Sequence, residues 1–360
     1  MTMTIIEKPV RVIRSSRLDK LHEQVARICP VLTAIGFACL VPVIKLAVGD
    51  SPRQQLKDIW RMLIVPVIGL CVFLLAWAHF APEVKTSLGA IPGPEQVWTQ
   101  AGNLWADYKA QEVKKHAFYE RQSARNKKLA QEGHQDRMAW RTFTGPPTYV
   151  DQIFTSLRTV ALGFLIATLI AVPLGILCGL SATMNSALTP LIQIFKPVSP
   201  LAWLPIVTIV VSATYTATND AMPKSLVISA LTVTLCSLWP TLINTALGVA
   251  SIDKDLINVG KVLQLSLWTT IRKLVLPSAM PLIFTGLRLS LGVGWMVLIA
   301  AEMLAQNPGL GKFVWDEFQN GSSASLANIM FAVLTIGVIG FLLDRIMLVL
   351  QSAFSFQTQR

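Results

Sequence analysis

Long apolar runs separated by short polar stretches fill most of the chain after residue 150, and one further run precedes them. An uncharged apolar run of about 20 residues crosses the hydrocarbon core of a bilayer as a helix, because each residue adds about 1.5 Å. The pattern predicts an all-α integral membrane protein with six core transmembrane helices. We expect them over Met62 to Ala81, Ile153 to Leu180, Leu191 to Ala213, Leu226 to Leu247, Leu282 to Leu304 and Leu326 to Leu350.

Two segments lie outside this core pattern. The N-terminal extension, residues 1–61, contains a weaker apolar segment at 29–48, which Pro30 and Pro42 interrupt and which carries Lys45 near its end. It is compatible with a span, an interfacial helix or packing outside the core. The insertion, residues 82–150, carries ten Lys/Arg and seven Asp/Glu. Its helix formers predict a solvated helix from Trp105 to about Gln131, either a plain surface helix or a docking surface.

Three prolines interrupt the third predicted span near its start. The stretch reads FKPVSPLAWLP, in which Lys196 precedes Pro197, Pro200 and Pro205. Each proline removes a backbone donor, so the helix should bend or unwind here. Irregular backbone at membrane depth is tolerated only against protein or water. The stretch therefore either lines an internal path or is a kink that aids packing.

Composition supports the membrane assignment, since 53% of the residues are hydrophobic, 14% are charged and the mean hydropathy is +0.54. The formal charge of +11 raises the question of a nucleic-acid partner. The excess cations lie in short polar stretches between apolar runs, where they match anionic lipid headgroups. We therefore expect membrane lipid and no nucleic acid as the partner of this charge.

Chemistry-bearing motifs do not converge on a catalytic, cofactor or metal site. The histidines are scattered and lack metal-ligand spacing; they are His22, His79, His116 and His134. The stretch GLGK ending at Lys312 lacks the first glycine of a phosphate loop, where Gln306 stands, and Phe313 replaces the Ser/Thr. We expect that the chain is not an enzyme and that any ATP and Mg are bound by partner subunits.

The polar interruption between the fourth and fifth firm spans, residues 250–278, reads ASIDKDLINVGKVLQLSLWTTIRKLVLPS. This coupling segment resembles the cytoplasmic loop of binding-protein-dependent importer permeases, whose consensus is E-A-A, three residues, G, nine residues, then I-x-L-P. Aligned on its end, the segment places Leu274, Leu276 and Pro277 at the I, L and P positions and Gln264 at the glycine. The E-A-A positions hold Asn258, Val259 and Gly260, so the initial half departs from the consensus.

Further stretches strengthen the resemblance: SLRTVALGF at 156–164, AVPLG ending at Gly175, PLIQIFKPVSPLAWLP ending at Pro205, and FTGLRLSLGVGWMVLIAAEML at 284–304. Together they are similar to the nitrate/bicarbonate/sulfonate/taurine branch, and most of all to nitrate permeases. The resemblance implies a permease core at 151–352, a tail at 353–360 and a bacterial inner-membrane location. The ATPase contacts that it implies come from Asn258, Gly260, Leu263, Gln264, Leu265, Trp268 and Pro277.

The resemblance also implies an assembly: two copies of the permease, two ATPase subunits that bind ATP and Mg, and a solute-binding protein that is either free in the periplasm or lipid-anchored. The solute we expect is nitrate, with bicarbonate, cyanate or sulfonate/taurine as alternatives. A channel or secondary transporter, and a membrane-embedded enzyme, are rival classes. The coupling segment argues against the first, and the lack of converging catalytic residues against the second.

The side of each loop follows by parity once the coupling segment is placed in the cytoplasm. The insertion is then periplasmic, and the chain before Met62 is cytoplasmic. If residues 29–48 also crossed the membrane, the six Lys/Arg among the first 28 residues would face the periplasm. The positive-inside rule disfavours this, so we expect a non-spanning or re-entrant segment.

Ionisable residues inside spans are costly and need a partner, water or a function. Helix direction places Arg288 and Asp344 at one depth and Arg158 and Glu302 at another, so two structural ion pairs are predicted. Lys196 has no evident partner and precedes the prolines. Together with the neutral donors Trp203 and Trp239, and with Arg288, it is a candidate for the translocation path.

Overall fold

The computed structural model describes Val25, Cys29 and residues 40–49, 51–86, 89–216 and 222–358, apart from the side chains of residues 136, 254, 323 and 355–358. Most of the described residues are helical. Helix α1 covers Val41–Ala47. Half of the apolar segment at 29–48, residues 30–39, lies outside the described residues, so its relation to the membrane stays a prediction.

Helix α2, Pro52–Glu83, contains the first predicted span and begins ten residues before it. Pro66 has no N–H to donate, and the helix widens to a π turn over Trp60–Ile64 immediately before it. None of its most apolar window is buried against the described chain. The helix is tied to the insertion by a hydrogen bond from Trp77 Nε1 to the Pro92 carbonyl oxygen at 3.2 Å.

The insertion contains a short antiparallel hairpin, β1 at Lys85–Thr86 and β2 at Gly89–Ala90, followed by helix α3 at Pro94–Gln131. The predicted helix is confirmed and starts eleven residues earlier than expected, with Pro94 in its first turn; its position outside the membrane stays a prediction. Its 38 residues make it about 57 Å long. A mostly extended segment then returns along α3 to the next span.

Three long helices form the centre of the bundle: α4 at Tyr149–Leu180, α7 at Lys224–Ala250 and α9 at Leu267–Ala305. Helix α7 lies between the other two. Glycines allow the backbones to touch: a Cβ on Gly175 of α4 would lie 2.6 Å from Thr245 Cβ, and one on Gly286 of α9 would lie 2.8 Å from Asn244 Cβ. Close packing through small residues is the usual basis of helix association in membranes.

The third predicted span, Leu191 to Ala213, is not one helix. Two helices, α5 at Ala182–Phe195 and α6 at Pro200–Thr214, meet at an angle of 101°. The predicted bend at the prolines is therefore confirmed. Pro197 and Pro200 cannot donate backbone hydrogen bonds, and Ser199 Oγ caps the new helix by accepting from Leu201 N at 3.3 Å.

The remaining spans agree with the sequence and are longer at their ends. The coupling segment contains helix α8 at Lys254–Val262 and the first turns of α9, which widen to a π turn over Ile271–Val275 before Pro277. Helix α10, Leu310–Asn320, joins α9 to α11, Ser323–Thr358. Because α11 continues through Thr358, most of the predicted tail at 353–360 is helix. We call the end where α4 begins and α9 finishes the insertion end, and the opposite one the coupling end.

Candidate coupling surface and translocation path

The coupling segment presents a row of large apolar side chains to its surroundings. Exposed fractions are 82% for Val262, 63% for Leu263, 73% for Leu267 and 72% for Trp268. No part of the chain that the structure describes covers these side chains. Contiguous exposed apolar surface of this kind marks an interaction site.

The other predicted coupling residues divide into outward and inward positions. Asn258 is exposed, whereas Gly260 is buried and Pro277 is half-buried. Leu265 is also half-buried, and its Cδ1 lies 4.0 Å from the position that a Cβ on Gly260 would occupy. Leu274 fills the same space from the start of α9. Leu265 thus contributes to the internal packing of the segment, whereas Leu267 is exposed. The predicted ATPase contact of Leu265 stays a prediction.

Gln264, at the position where the consensus has glycine, adopts a left-handed backbone conformation with φ +49°. L-residues pay roughly 1–2 kcal/mol for this conformation, and glycine does not. This left-handed turn supports the alignment on the I-x-L-P end of the segment, because that alignment places the consensus glycine at Gln264. The turn ends α8 and sets the direction of the chain toward Trp268.

Changing Gln264 tests the turn directly. We expect Gln264→Gly to keep transport and stability close to the original, because glycine adopts the left-handed conformation readily. Gln264→Val should lower the thermal unfolding midpoint of the assembled transporter and reduce solute uptake several-fold, because a β-branched residue is poorly tolerated at positive φ. Unfolding scans and uptake in vesicles measure both effects. Equal behaviour of the two variants would contradict the role of this turn.

The break between α5 and α6 opens beside a cavity of about 380 Å³. One face of α5 supplies its polar lining, which consists of Asn185, Thr189, Gln193 and Lys196. Apolar residues of α7 form the opposite wall. Lys196 is exposed, and no ion pair of its ammonium is found within the part of the chain that the structure describes. Lys196 is therefore a cation without an ion-pair partner among the described residues, and it lies at the end of the row of polar side chains on α5.

Two indole side chains predicted along the path lie together next to this break. The ring of Phe195 is 5.7 Å from that of Trp203 and stacks at 6.4 Å on that of Trp239. The Nε1 atoms of both tryptophans are buried without a hydrogen-bond partner among the described residues. A buried N–H without a partner is uncommon and costs about 1–3 kcal/mol. Phe195, the residue before Lys196, thus joins the two tryptophans beside the break, and we call Lys196, Trp203 and Trp239 the group around Lys196. The place of this group in a translocation path stays a prediction.

Arg288 lies elsewhere. Its guanidinium forms a two-pronged ion pair with Asp344, in which Nη2 donates to Oδ2 at 2.9 Å and Nε donates to Oδ1. This pair is the one that helix direction predicts. It borders a separate cavity of about 670 Å³, lined also by Thr285 and Gln351. Because the guanidinium is occupied by Asp344, we assign Arg288 to holding α9 against α11 rather than to the group around Lys196.

The second predicted ion pair, Arg158 with Glu302, is wrong. Arg158 is exposed, whereas Glu302 is fully buried and accepts hydrogen bonds from Ser156 Oγ at 2.8 and 2.9 Å and from Gly311 N at 2.9 Å. Ser156 Oγ in turn accepts from Leu310 N at 2.8 Å. The carboxylate therefore holds the N-terminus of α10, where the helix dipole favours negative charge.

Sequence reasoning missed the residues that surround Glu302. A Cβ on Gly309 would collide with the carboxylate, and one on Gly311 would collide with the Ile299 carbonyl oxygen. Asn307 is also fully buried, and its Nδ2 donates to Thr159 Oγ1 at 3.1 Å. The available signal was the paired glycines in NPGLG shortly after a glutamate, a spacing that allows backbone N–H groups to approach a side chain.

The bundle of spans, the broken helix and the exposed coupling segment define a transport subunit of the inner membrane. The chain matches, over residues 171–356, the family described as binding-protein-dependent transport system inner membrane component, and it belongs to that family. The sequence-based assignment to importer permeases and to the inner membrane is thereby confirmed. Members of this class are permease subunits and are not catalytic themselves.

Among its relatives, the bicarbonate transport system permease protein CmpB of Synechococcus elongatus is 34% identical over 309 residues, which cover 84% of this chain and 94% of that protein. The nitrate import permease protein NrtB of Leptolyngbya laminosa is 39% identical over 193 residues, or 54% of this chain and 64% of that protein. A putative ABC transporter permease protein of Methanocaldococcus jannaschii is 33% identical over 202 residues, or 56% and 70%.

Proposed function

We propose that this permease imports a small monovalent oxyanion, with nitrate as the first candidate, through a path that passes the break between α5 and α6. The observation that carries the proposal is the uncompensated Lys196 at that break. A cation at membrane depth without a partner is first treated as a candidate functional residue, because an unpaired charge there is energetically costly.

The position of Lys196 along the bundle supports this role. It follows Ala182 by 14 residues, so about 21 Å of helix separates it from the coupling end. Trp239 precedes Ala250 by 11 residues, or about 16 Å. Trp239 therefore lies about halfway across a hydrocarbon core of roughly 30 Å, and Phe195, the residue before Lys196, stacks on its ring. Broken helices near the midplane are where many transporters bind their solute.

The chemistry of the group fits a weakly hydrated monovalent anion. Lys196 supplies one positive charge, the N-terminus of α6 supplies a favourable dipole, and the two indole N–H groups are neutral donors. One cation attracts a monovalent anion without trapping it. Transport requires a solute to bind strongly enough to enter and weakly enough to leave.

The relatives support nitrate and bicarbonate as the two candidates. Similarity to a nitrate permease reaches 39% over 193 residues. Bicarbonate is the second candidate because the alignment with a bicarbonate permease extends over 309 residues and thus into the segments before the core. Both solutes are planar monovalent oxyanions of similar size, so the cation at the break serves either.

The partners follow from the family. In this proposal a solute-binding protein delivers the anion on the periplasmic side, where the insertion lies, and ATPase subunits that bind ATP and Mg engage the coupling segment on the cytoplasmic side. A second copy of the permease completes the path. The exposed apolar row at Val262, Leu263, Leu267 and Trp268 supports helix-in-groove docking on the ATPase.

Replacing Lys196 by Met tests the proposal. We expect Lys196→Met to slow nitrate uptake into vesicles about tenfold, equivalent to about 1.4 kcal/mol of lost stabilisation, because the positive potential is removed while the chain length is kept. Assembly and basal ATP hydrolysis should be unchanged. Lys224→Met, an exposed lysine at the insertion end, is the matched control and should retain uptake.

A panel of anions identifies the solute in the same preparation. ATP hydrolysis by the reconstituted transporter should increase when nitrate is added. In Lys196→Met this increase should be lost for the anion that the transporter carries. Stimulation by bicarbonate and not by nitrate would replace the first candidate by the second. Undiminished uptake in Lys196→Met would remove Lys196 from the path.

A further inference from the structure

The distal part of the insertion is strongly basic. Residues 115–141, which we call the basic arm, contain seven Lys/Arg and three Asp/Glu. The rest of the insertion, residues 82–114 and 142–150, contains three Lys/Arg and four Asp/Glu. The positive charge is thus concentrated in one segment, and it lies beyond the part of α3 that packs on the bundle through Leu104.

The basic arm has a defined fold, held together by hydrogen bonds and by an aromatic contact. Its helical half, the end of α3, is covered on one face by the returning segment: Asn126 Nδ2 donates to the Ala139 carbonyl oxygen at 3.1 Å, and Gln122 Nε2 donates to that of Arg141 at 3.3 Å. The rings of Phe118 and Phe143 pack edge to face at 5.6 Å. A charged surface held in this way is presented in a defined arrangement rather than as a loose chain.

An exposed aromatic lies among these charges. Trp140 is 70% exposed, and it is held between Ala139 and Arg141, the two residues that are hydrogen-bonded to α3. Arg125 and Lys127 flank Asn126, which anchors the neighbouring Ala139, and both are exposed. Trp and Arg are the residues most enriched in the energetic centres of protein interfaces.

The free face of the helical half argues against a membrane surface as the occupant. Helices that lie in a bilayer interface bury a continuous apolar face. The residues that α3 exposes between 115 and 131 are instead charged, polar or small: Lys115, His116, Glu120, Arg121, Ser123, Ala124, Arg125, Lys127, Lys128, Ala130 and Gln131, with Tyr119 at 38% as the largest apolar surface. One tryptophan among cations fits an aqueous protein partner.

We propose that the basic arm is a docking surface for an acidic face of the solute-binding protein on which this family depends, with Trp140 as its apolar anchor. The cations speed encounter with an acidic surface, and the tryptophan slows its release. The proposal rests on the periplasmic position of the insertion and on the family's need for a binding protein. It does not depend on which anion is carried.

The test uses the permease with its ATPase subunits in vesicles and the binding protein of the same importer as the probe. ATP hydrolysis is measured against binding-protein concentration for the triple variant Arg125→Gln, Lys127→Gln, Lys128→Gln. We expect the half-maximal concentration to rise about tenfold at low salt and about twofold at high salt, where charges are screened, with the maximal rate unchanged. The matched control removes the three cations of the insertion that lie outside the basic arm, Lys85, Lys109 and Lys114, and should change the half-maximal concentration less than twofold.

Trp140→Ala separates the anchor from the charges. For this variant the half-maximal concentration of binding protein should rise about tenfold at both salt concentrations, because salt does not screen an apolar contact. In addition, an Ala124→Cys variant should react with an impermeant thiol reagent in intact cells, and a photoreactive group attached there should crosslink to the binding protein.

Three results would overturn the proposal. The first is equal behaviour of the triple variant and its control. The second is an effect of the triple variant that requires phosphatidylglycerol in the vesicles, which would make the membrane the occupant. The third is labelling of Ala124→Cys only after lysis, which would place the arm in the cytoplasm. If uptake of every tested anion persists in Lys196→Met while the arm variants behave as expected, the path assignment fails and the docking surface stands.

Discussion

Trp268→Asp is expected to abolish solute uptake while leaving the permease in the membrane. Trp268 is 72% exposed at the tip of the coupling segment, so its side chain supports no internal packing that the change would remove. Seated in an apolar groove of the ATPase, a central tryptophan contributes at least about 2 kcal/mol, and a buried carboxylate in its place adds a desolvation penalty. Uptake should fall at least about 30-fold.

Comparing uptake with ATP hydrolysis in vesicles measures the effect. Trp268→Asp should hydrolyse ATP without importing solute, or should lose its ATPase subunits on purification. The matched control is Trp98→Asp, because Trp98 is 80% exposed on α3 at the other end of the bundle. Leu265→Asp should behave differently, lowering the unfolding midpoint, since that side chain packs inside the segment. Normal uptake by Trp268→Asp would show that the ATPase does not contact the exposed apolar row of the coupling segment.

Glu302→Ala is expected to destabilise the insertion end of the bundle more than any surface change. The substitution leaves the Ser156 hydroxyl and the Gly311 N–H without their acceptor in a site from which water is excluded. Each buried group left unpaired costs about 1–3 kcal/mol, so we expect about 3 kcal/mol in total. A loss of that size lowers an unfolding midpoint by roughly 6–12 °C.

Glu302→Gln is the informative comparison. Its amide oxygen can still accept from Gly311 N, so most of the stability should return. Glu120→Ala, which removes an exposed carboxylate from α3, should not shift the midpoint measurably. Thermal unfolding in detergent, followed by intrinsic fluorescence, distinguishes the three variants. A Glu302→Ala protein as stable as the original would show that α10 is held by its apolar contacts alone.

The spans were predictable because apolar runs long enough to cross a bilayer leave little choice of structure. Their ends were not, because helices continue into polar sequence once the backbone leaves the hydrocarbon; α9 begins at Leu267, fifteen residues before the predicted start at Leu282. The bend after Lys196 followed from its prolines. Its angle did not, since proline removes a hydrogen bond without fixing the direction of the next helix.

The candidate site residues likewise include features that the sequence predicts and features that it does not. Depth along a helix follows from residue counting, and it correctly placed Arg288 level with Asp344. The direction in which a side chain points around the helix does not follow, and Arg158 consequently proved to face away from Glu302. The outward position of Leu267 rather than Leu265 depends on the left-handed turn at Gln264, which a helical pattern cannot foresee.

The glycine contacts that join α4, α7 and α9 also limit how the protein can move. Three glycines of α4 touch α7 at successive depths: Gly163 meets the Ala230 carbonyl oxygen, Gly175 meets Thr245 and Gly179 meets Val249. Because so many close contacts join these helices, we expect α4, α7 and α9 to move as one rigid body during transport. Movement of the rest of the chain relative to that body is then expected at the proline break after Lys196 and at the turn at Gln264.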